Sequence, residues 1–103
     1  MDPVRYEGKP LLRLLELYVL WASDKLSDED EARIFAMAPK LSETFGGDGS
    51  WQSAIATAMQ FPANMPQLIA ENWTKNRALA EAEGVDLLPQ QFAESFVDTN
   101  FAG

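Results

Sequence analysis

Residues 11–21 decide the fold of this chain, and they read Leu-Leu-Arg-Leu-Leu-Glu-Leu-Tyr-Val-Leu-Trp. On a helix, at 100° per residue, the apolar side chains cover an arc of roughly 220°, much wider than the stripe of a surface helix. The solvent side is marked by four polar residues: Arg13, Glu16, Ser23 and Asp24. Leu20 lies in the middle of that side. One neighbour cannot cover so wide a surface, so we predict a central, most buried helix with other helices around it. The positions expected inside are Leu14, Leu15, Tyr18 and Ala22.

The composition is that of a folded domain. The chain has 103 residues, of which 47% are hydrophobic and 23% charged, an ordinary balance for a globular protein. This length fits one domain, so we predict a single helical domain over 1–103. Residues 1–8 are polar and contain Pro3 and Gly8, and we expect them to be loosely ordered.

Turn and capping residues divide the chain into five helices. The predicted bounds are roughly 10–25, 28–45, 51–60, 65–83 and 89–100. Ser27 and Ser50 are expected N-caps, while the run Gly46-Gly47-Asp48-Gly49 and the later Gly84 are expected to stop helices. No segment shows the period-2 alternation of a strand. The sequence therefore predicts an all-α fold.

The second helix contains a proline. Its apolar stripe comprises Ile34, Met37, Ala38, Leu41 and Phe45, with Phe35 at the edge. Pro39 falls on the solvent side of the same projection, and the stripe continues past it in phase. We therefore predict one helix kinked at Pro39, or two abutting helices, with an unbroken buried face.

Residue types exclude several kinds of chemistry. With no Cys and no His, the chain cannot form disulfides, Cys or His zinc sites, thiol nucleophiles or imidazole bases. No loop resembles a P-loop or an EF-hand. We therefore predict that the protein is not an enzyme, has no catalytic or metal-binding residues, and needs no cofactor.

The charge of the chain bears on its partners. Sixteen acids against eight bases give a net charge of −8. This argues against nucleic acid, which needs a basic patch, and against anionic membranes, but it suits a protein with a basic surface. The start of the chain has no signal-peptide pattern, and an apolar run of about twelve residues is too short to span a bilayer. We expect a cytoplasmic protein.

The fourth and fifth helices place asparagines on apolar faces. The apolar face of the fourth helix is formed by Met65, Leu68, Ile69, Trp73, Leu79 and Ala80. Asn72 and Asn76 project into its middle, and Asn100 projects among Phe92, Phe96 and Val97. One hypothesis is structural, in which buried amides bond carbonyls or each other. The other is functional, in which Asn72, Asn76, Trp73 and Asn100 bind a ligand or partner. For Asn100, solvent exposure at the end of the fifth helix is a third possibility.

Three further features each have two interpretations. The acids Asp28, Glu29, Asp30 and Glu31 either face a basic partner or stabilise a helix N-terminus through its dipole. The Gly46–Ser50 loop either holds an anion or is a turn. Trp21, Trp51 and Trp73 are either interface anchors or core residues.

These features favour a small, acidic, non-catalytic interaction protein, accessory or inhibitory in role. The alternative is a helical protein that binds a small apolar ligand at a polar notch formed by Asn72 and Asn76.

Overall fold

A computed structural model describes residues 10–100, together with their side chains from Leu12 onward. The expectation of loose order for 1–8 lies outside these residues. Five helices are present: α1 (Pro10–Ala22), α2 (Asp28–Phe45), α3 (Trp51–Met59), α4 (Met65–Ala82) and α5 (Pro89–Asn100). The described part of the chain contains no strand. The predicted all-α class is confirmed.

The chain divides into two units. Within the described residues, the first unit comprises 10–25 and 66–100, with α5 packed along α1. The second comprises 26–65, with α2 packed on α3. The arrangement of all helices around α1 in one domain stays a prediction.

Backbone hydrogen bonds explain why α1 ends at Ala22 instead of near Lys25. Asp24 adopts a left-handed conformation with φ of 59°. Its N–H donates to the Trp21 carbonyl at 3.0 Å, and the Lys25 N–H donates to the Leu20 carbonyl at 2.8 Å. This pair of bonds is a Schellman motif, which usually has glycine at the left-handed position. The helix end was predicted too late because Asp occupies the position where glycine is expected.

Burial extends all the way around α1. From Leu12 to Ala22 every side chain is buried or half-buried, so α1 is the most buried helix of the described chain. Leu15 and Tyr18 are inside as predicted, whereas Leu14 and Ala22 are half-buried. The predicted solvent side is wrong for Glu16, Leu20 and Ser23, which are buried, whereas Arg13 is half-buried and Asp24 is exposed.

Helix α2 is one helix that continues through Pro39, which is the first of the two predicted alternatives; the kink stays a prediction. Ile34, Ala38 and Leu41 are buried, and Pro39 is exposed. The inward position expected for Met37 is wrong, because 45% of its surface is exposed. The buried stripe is therefore narrower than the apolar stripe in the sequence.

Candidate functional site

The candidate site is a cleft of about 360 Å³ between α2 and the start of α3, within the second unit. We call it the α2–α3 cleft. Its lining residues are Glu31, Phe35, Ala38, Pro39, Gly49, Ser50, Trp51 and Gln52. Trp51 and Ala38 are buried beneath it, whereas Phe35 stands out with 71% of its surface exposed. An exposed aromatic ring beside a cavity is a common feature of binding sites.

The position of Phe35 follows from the turn geometry of α2. Ile34 and Ala38 fill the buried face, and Phe35 lies next to that face, toward the cleft. Pro39, one turn later, has no N–H to donate to the Phe35 carbonyl. The turn of α2 that carries the exposed Phe35 ring is therefore also the turn in which the Phe35 carbonyl lacks its usual helical N–H donor.

The α3 side of the cleft is fixed by a glycine. Gly47 has φ of +100°, and a Cβ at this position would lie 2.7 Å from the Ser53 hydroxyl and 2.9 Å from the Ser53 carbonyl carbon. Both the backbone angle and the close approach exclude larger residues. The predicted breaker is confirmed, with Gly46 directly after α2.

Asp48 and Ser50 order the rest of this loop. The Asp48 carboxylate accepts from the Ser50 N–H at 3.1 Å and from its hydroxyl at 2.9 Å. Ser50 in turn caps α3 by accepting from the Ser53 N–H at 3.1 Å. The two bonds that Ser50 donates to Asp48, the backbone one first, lower the pKa of Asp48. Side chains of the loop itself therefore bond the N–H groups at the start of α3. This favours the interpretation of the loop as a turn over its interpretation as an anion site.

The acids of the first α2 turn fall into two groups. Arg33 bonds Glu29 at 3.2 Å and Asp30 at 3.5 Å on one side of the helix. Asp28 and Glu31 form no ion pair within the described chain. At 100° per residue these two lie on the face of Phe35 and Pro39, within an arc of about 80°. The carboxylates without a basic partner therefore extend along the face that carries the exposed ring.

The asparagines of α4 are not buried. Asn72 and Asn76 are exposed, and their amides donate to the carbonyls of Leu68 at 2.9 Å and Asn72 at 2.7 Å. Asn100 likewise is exposed and bonds the Phe96 carbonyl at 2.8 Å. Placing Asn72 and Asn76 inside was wrong, because an asparagine can bond the carbonyl four residues earlier while facing solvent; for Asn100 the exposed alternative is the one observed.

Burial on α4 is confined to Ile69 and Trp73. The Trp73 ring packs against Phe92 of α5, with centroids 5.4 Å apart, which favours the core interpretation for this tryptophan. A depression of about 370 Å³ on α4 is lined by Gln67, Ala70, Glu71, Thr74 and Lys75. It includes neither asparagine, so it does not form the expected notch.

Glu16 is a buried carboxylate that the sequence placed in solvent. Its Oε1 lies 2.9 Å from the Arg13 guanidinium and also accepts from the Gln90 amide of α5, while its Oε2 has no partner. The signal was Leu20, an apolar residue in the middle of the predicted solvent side. The carboxylate joins α5 to α1 and is a structural element of the first unit.

Comparison with known proteins gives no match to a protein family, a curated protein or a solved structure. In the described part of the chain, no helix combines the length and apolar character needed to cross a membrane. The same residues contain no group of three or more carboxylates placed to hold a metal ion.

Proposed function

We propose that this chain is a non-catalytic protein-interaction module that binds a basic, amphipathic segment of a partner through the α2–α3 cleft. One observation carries the proposal: Phe35 is 71% exposed at a cleft and shares its helix face with Asp28 and Glu31, which have no basic partner within the described chain. Its expected role is accessory or inhibitory, and the cytoplasmic location expected from the sequence is part of the proposal.

Burial of Phe35 supplies the affinity. Covering an exposed phenylalanine contributes about 1.5–3 kcal/mol, and aromatic side chains dominate many interfaces. The buried Trp51 below the cleft gives a partner side chain a rigid apolar surface to contact. The first requirement on the partner is therefore an apolar anchor.

Charge supplies the selectivity. Glu31 lines the cleft one helical turn before Phe35, so a Lys or Arg about one turn from the apolar anchor can meet this carboxylate. Such complementarity speeds association and rejects acidic partners. The helix dipole explains acids in the first turn of α2, but it does not explain an exposed Phe35.

The test uses short amphipathic peptides rich in Lys, Arg and Leu, each matched by a peptide with Glu in place of the basic residues. We expect the full chain to bind the basic peptides and not the acidic ones, as measured by fluorescence anisotropy. Phe35→Ala is expected to weaken binding about tenfold or more, equivalent to about 1.4 kcal/mol. Glu31→Gln is expected to reduce the dependence of binding on salt.

Met37→Ala is the matched control, since Met37 is also exposed on α2 but does not line the cleft. It is expected to change the affinity less than twofold. Equal binding of the acidic peptides, or unchanged affinity in Phe35→Ala, would reject the proposal.

A second candidate is a small apolar ligand in the same cleft, favoured by a volume near the lower end of the usual range of roughly 300–1,000 Å³. Titration of a fluorescent apolar dye distinguishes the two candidates. Dye binding that depends on Phe35 but not on Glu31, together with no peptide binding, would favour the ligand.

A further inference from the structure

We infer that α4 is an interface between two copies of this chain, paired antiparallel through an exposed stripe. The stripe, called here the α4 stripe, consists of Leu68, Asn72, Asn76 and Leu79. These residues project within an arc of about 80°. Leu68 is 39% and Leu79 62% exposed. This inference does not depend on the proposed function of the α2–α3 cleft.

The order of residues along the stripe is nearly the same in both directions. Its spacings are 4, 4 and 3, with a leucine at each end and the two asparagines between them. In an antiparallel pair, Leu68 of one copy therefore lies opposite the partner's Leu79, and Asn72 lies opposite the partner's Asn76. A two-fold interface requires such self-complementarity, because each copy presents the same surface to the other.

Charges along one edge of the stripe fit the same register. Glu71 and Lys75 flank it on one side, and an antiparallel pair places Glu71 of each copy beside the partner's Lys75, on either side of the two-fold axis. Lys75 has no carboxylate within ion-pair distance in the described chain. The cross-contact gives each lysine an acidic neighbour.

Helix α4 also avoids the acidity of the rest of the chain. It contains two acids and two bases, Glu71 and Glu81 against Lys75 and Arg77, so its net charge is zero in a chain of −8. Two copies therefore meet on this helix with little like-charge repulsion. Two copies that met at the first turn of α2, which carries four acids, would repel each other.

The asparagines set alignment more than affinity. Each donates one amide hydrogen to its own helix and keeps a second hydrogen and a carbonyl oxygen for the partner. Polar residues in a helix pair fix register at a cost in stability. With only two leucines per copy, the expected dimer is weak and depends on concentration.

The test is sedimentation equilibrium of the full chain over a wide range of concentrations. We expect the mass to rise from 11.5 kDa toward twice that value. Leu79→Lys is expected to weaken association about tenfold or more. Val85→Lys is the control, because Val85 is 54% exposed and lies beyond the end of α4.

Charge reversal tests the orientation. Glu71→Lys makes the chain less acidic, changing its net charge from −8 to −6, so general repulsion alone predicts stronger association. Antiparallel pairing predicts weaker association, because the introduced ammonium group would meet the partner's Lys75. Adding Lys75→Glu is expected to restore the original affinity, with circular dichroism confirming that each variant is folded.

A mass of 11.5 kDa at every concentration would overturn the inference. So would stronger association of Glu71→Lys, failure of the double variant to recover, or equal loss in Val85→Lys. Loss of the dimer in Phe35→Ala, with no change in Leu79→Lys, would place self-association at the cleft instead.

Discussion

Helices α1 and α4 both carry apolar residues, over a much wider arc on α1 than on α4, and they also differ in burial. From Leu12 onward α1 has no exposed side chain, and even the carboxylate of Glu16 is buried. Over its 18 residues α4 buries only Ile69 and Trp73. An apolar pattern therefore shows which face a helix can bury, while its neighbours decide how much of that face is covered.

Ion pairs on the two helices show the same contrast. Arg13 and Glu16 are paired on α1 with side-chain exposures of 24% and 0%. Arg77 and Glu81 are paired on α4 with exposures of 56% and 64%. An Arg–Glu pair thus has a buried carboxylate in α1 and lies at the surface in α4. Matched substitutions in the two helices can therefore measure how burial changes the contribution of a side chain to stability.

The largest expected effect is at Leu15. Leu15→Ala removes a side chain that is 1% exposed, and such truncations cost about 2–5 kcal/mol. The matched change Leu79→Ala, at a position 62% exposed, is expected to stay within about 0.5 kcal/mol. Chemical denaturation of dilute protein measures both. Equal losses would erase the contrast between α1 and α4.

The next effect is at Glu16. Glu16→Leu removes the ion pair with Arg13 and leaves the Gln90 amide without the Glu16 carboxylate as acceptor, and an unsatisfied partner costs about 1–3 kcal/mol. Glu81→Leu removes only an exposed ion pair and is expected to cost about 0.5 kcal/mol or less. A more stable Glu16→Leu protein would show that packing outweighs this polar contact.

Tyr18 gives a pH test confined to α1, since α4 has no tyrosine. Burial raises the pKa of Tyr18 in the folded chain. The stability that the buried, protonated Tyr18 contributes is fully present at pH values below the pKa of Tyr18 in the unfolded chain. It is lost as the pH rises through the pKa of Tyr18 in the folded chain. In a Tyr6→Phe background, we expect tyrosinate absorbance to appear at higher pH than in the denatured chain. Titration at the same pH as the denatured chain would contradict burial of the phenol.

The smallest effect is expected at Asn72. Asn72→Ala removes an amide that bonds its own helix in solvent, and alanine is the better helix former by up to about 0.7 kcal/mol. At low protein concentration the change is expected to be neutral or slightly stabilising in a thermal melt. A loss of about 1–3 kcal/mol would mean that this part of α4 is covered.

Local signals were sufficient to predict the helices and most of their ends. The hydroxyls of Ser27 and Ser50 accept from N–H groups three residues later. The N–H groups of Gly46 and Gly84 donate to carbonyls three or four residues earlier, so the roles of all four residues are readable in the sequence. The end of α1 was missed because Asp24 adopts a conformation that favours glycine.

Burial was predicted less well, because it depends on residues far away in the chain. Glu16 is buried against Gln90, 74 residues later. Phe35 was placed only at the edge of a stripe, and the cleft beside it requires the loop after α2 to turn back at Gly47. A helical projection uses only the sequence of one helix, so it cannot predict contacts with distant residues or the course of a loop.

Gly47 also has a genetic consequence. Every amino acid that a single base change can put in place of this glycine would set a Cβ against Ser53. Because two of the three closest atoms belong to the backbone of Ser53 and Ala54, no change of the Ser53 side chain relieves the contact. At Gly49 a Cβ meets nothing within 4 Å, so a substitution there is opposed by the backbone φ of +106° and not by a steric contact. Related proteins that change the loop between α2 and α3 are therefore expected to do so by insertion or deletion of residues. The width of the α2–α3 cleft would then evolve through the length of this loop more readily than through point substitution at Gly47.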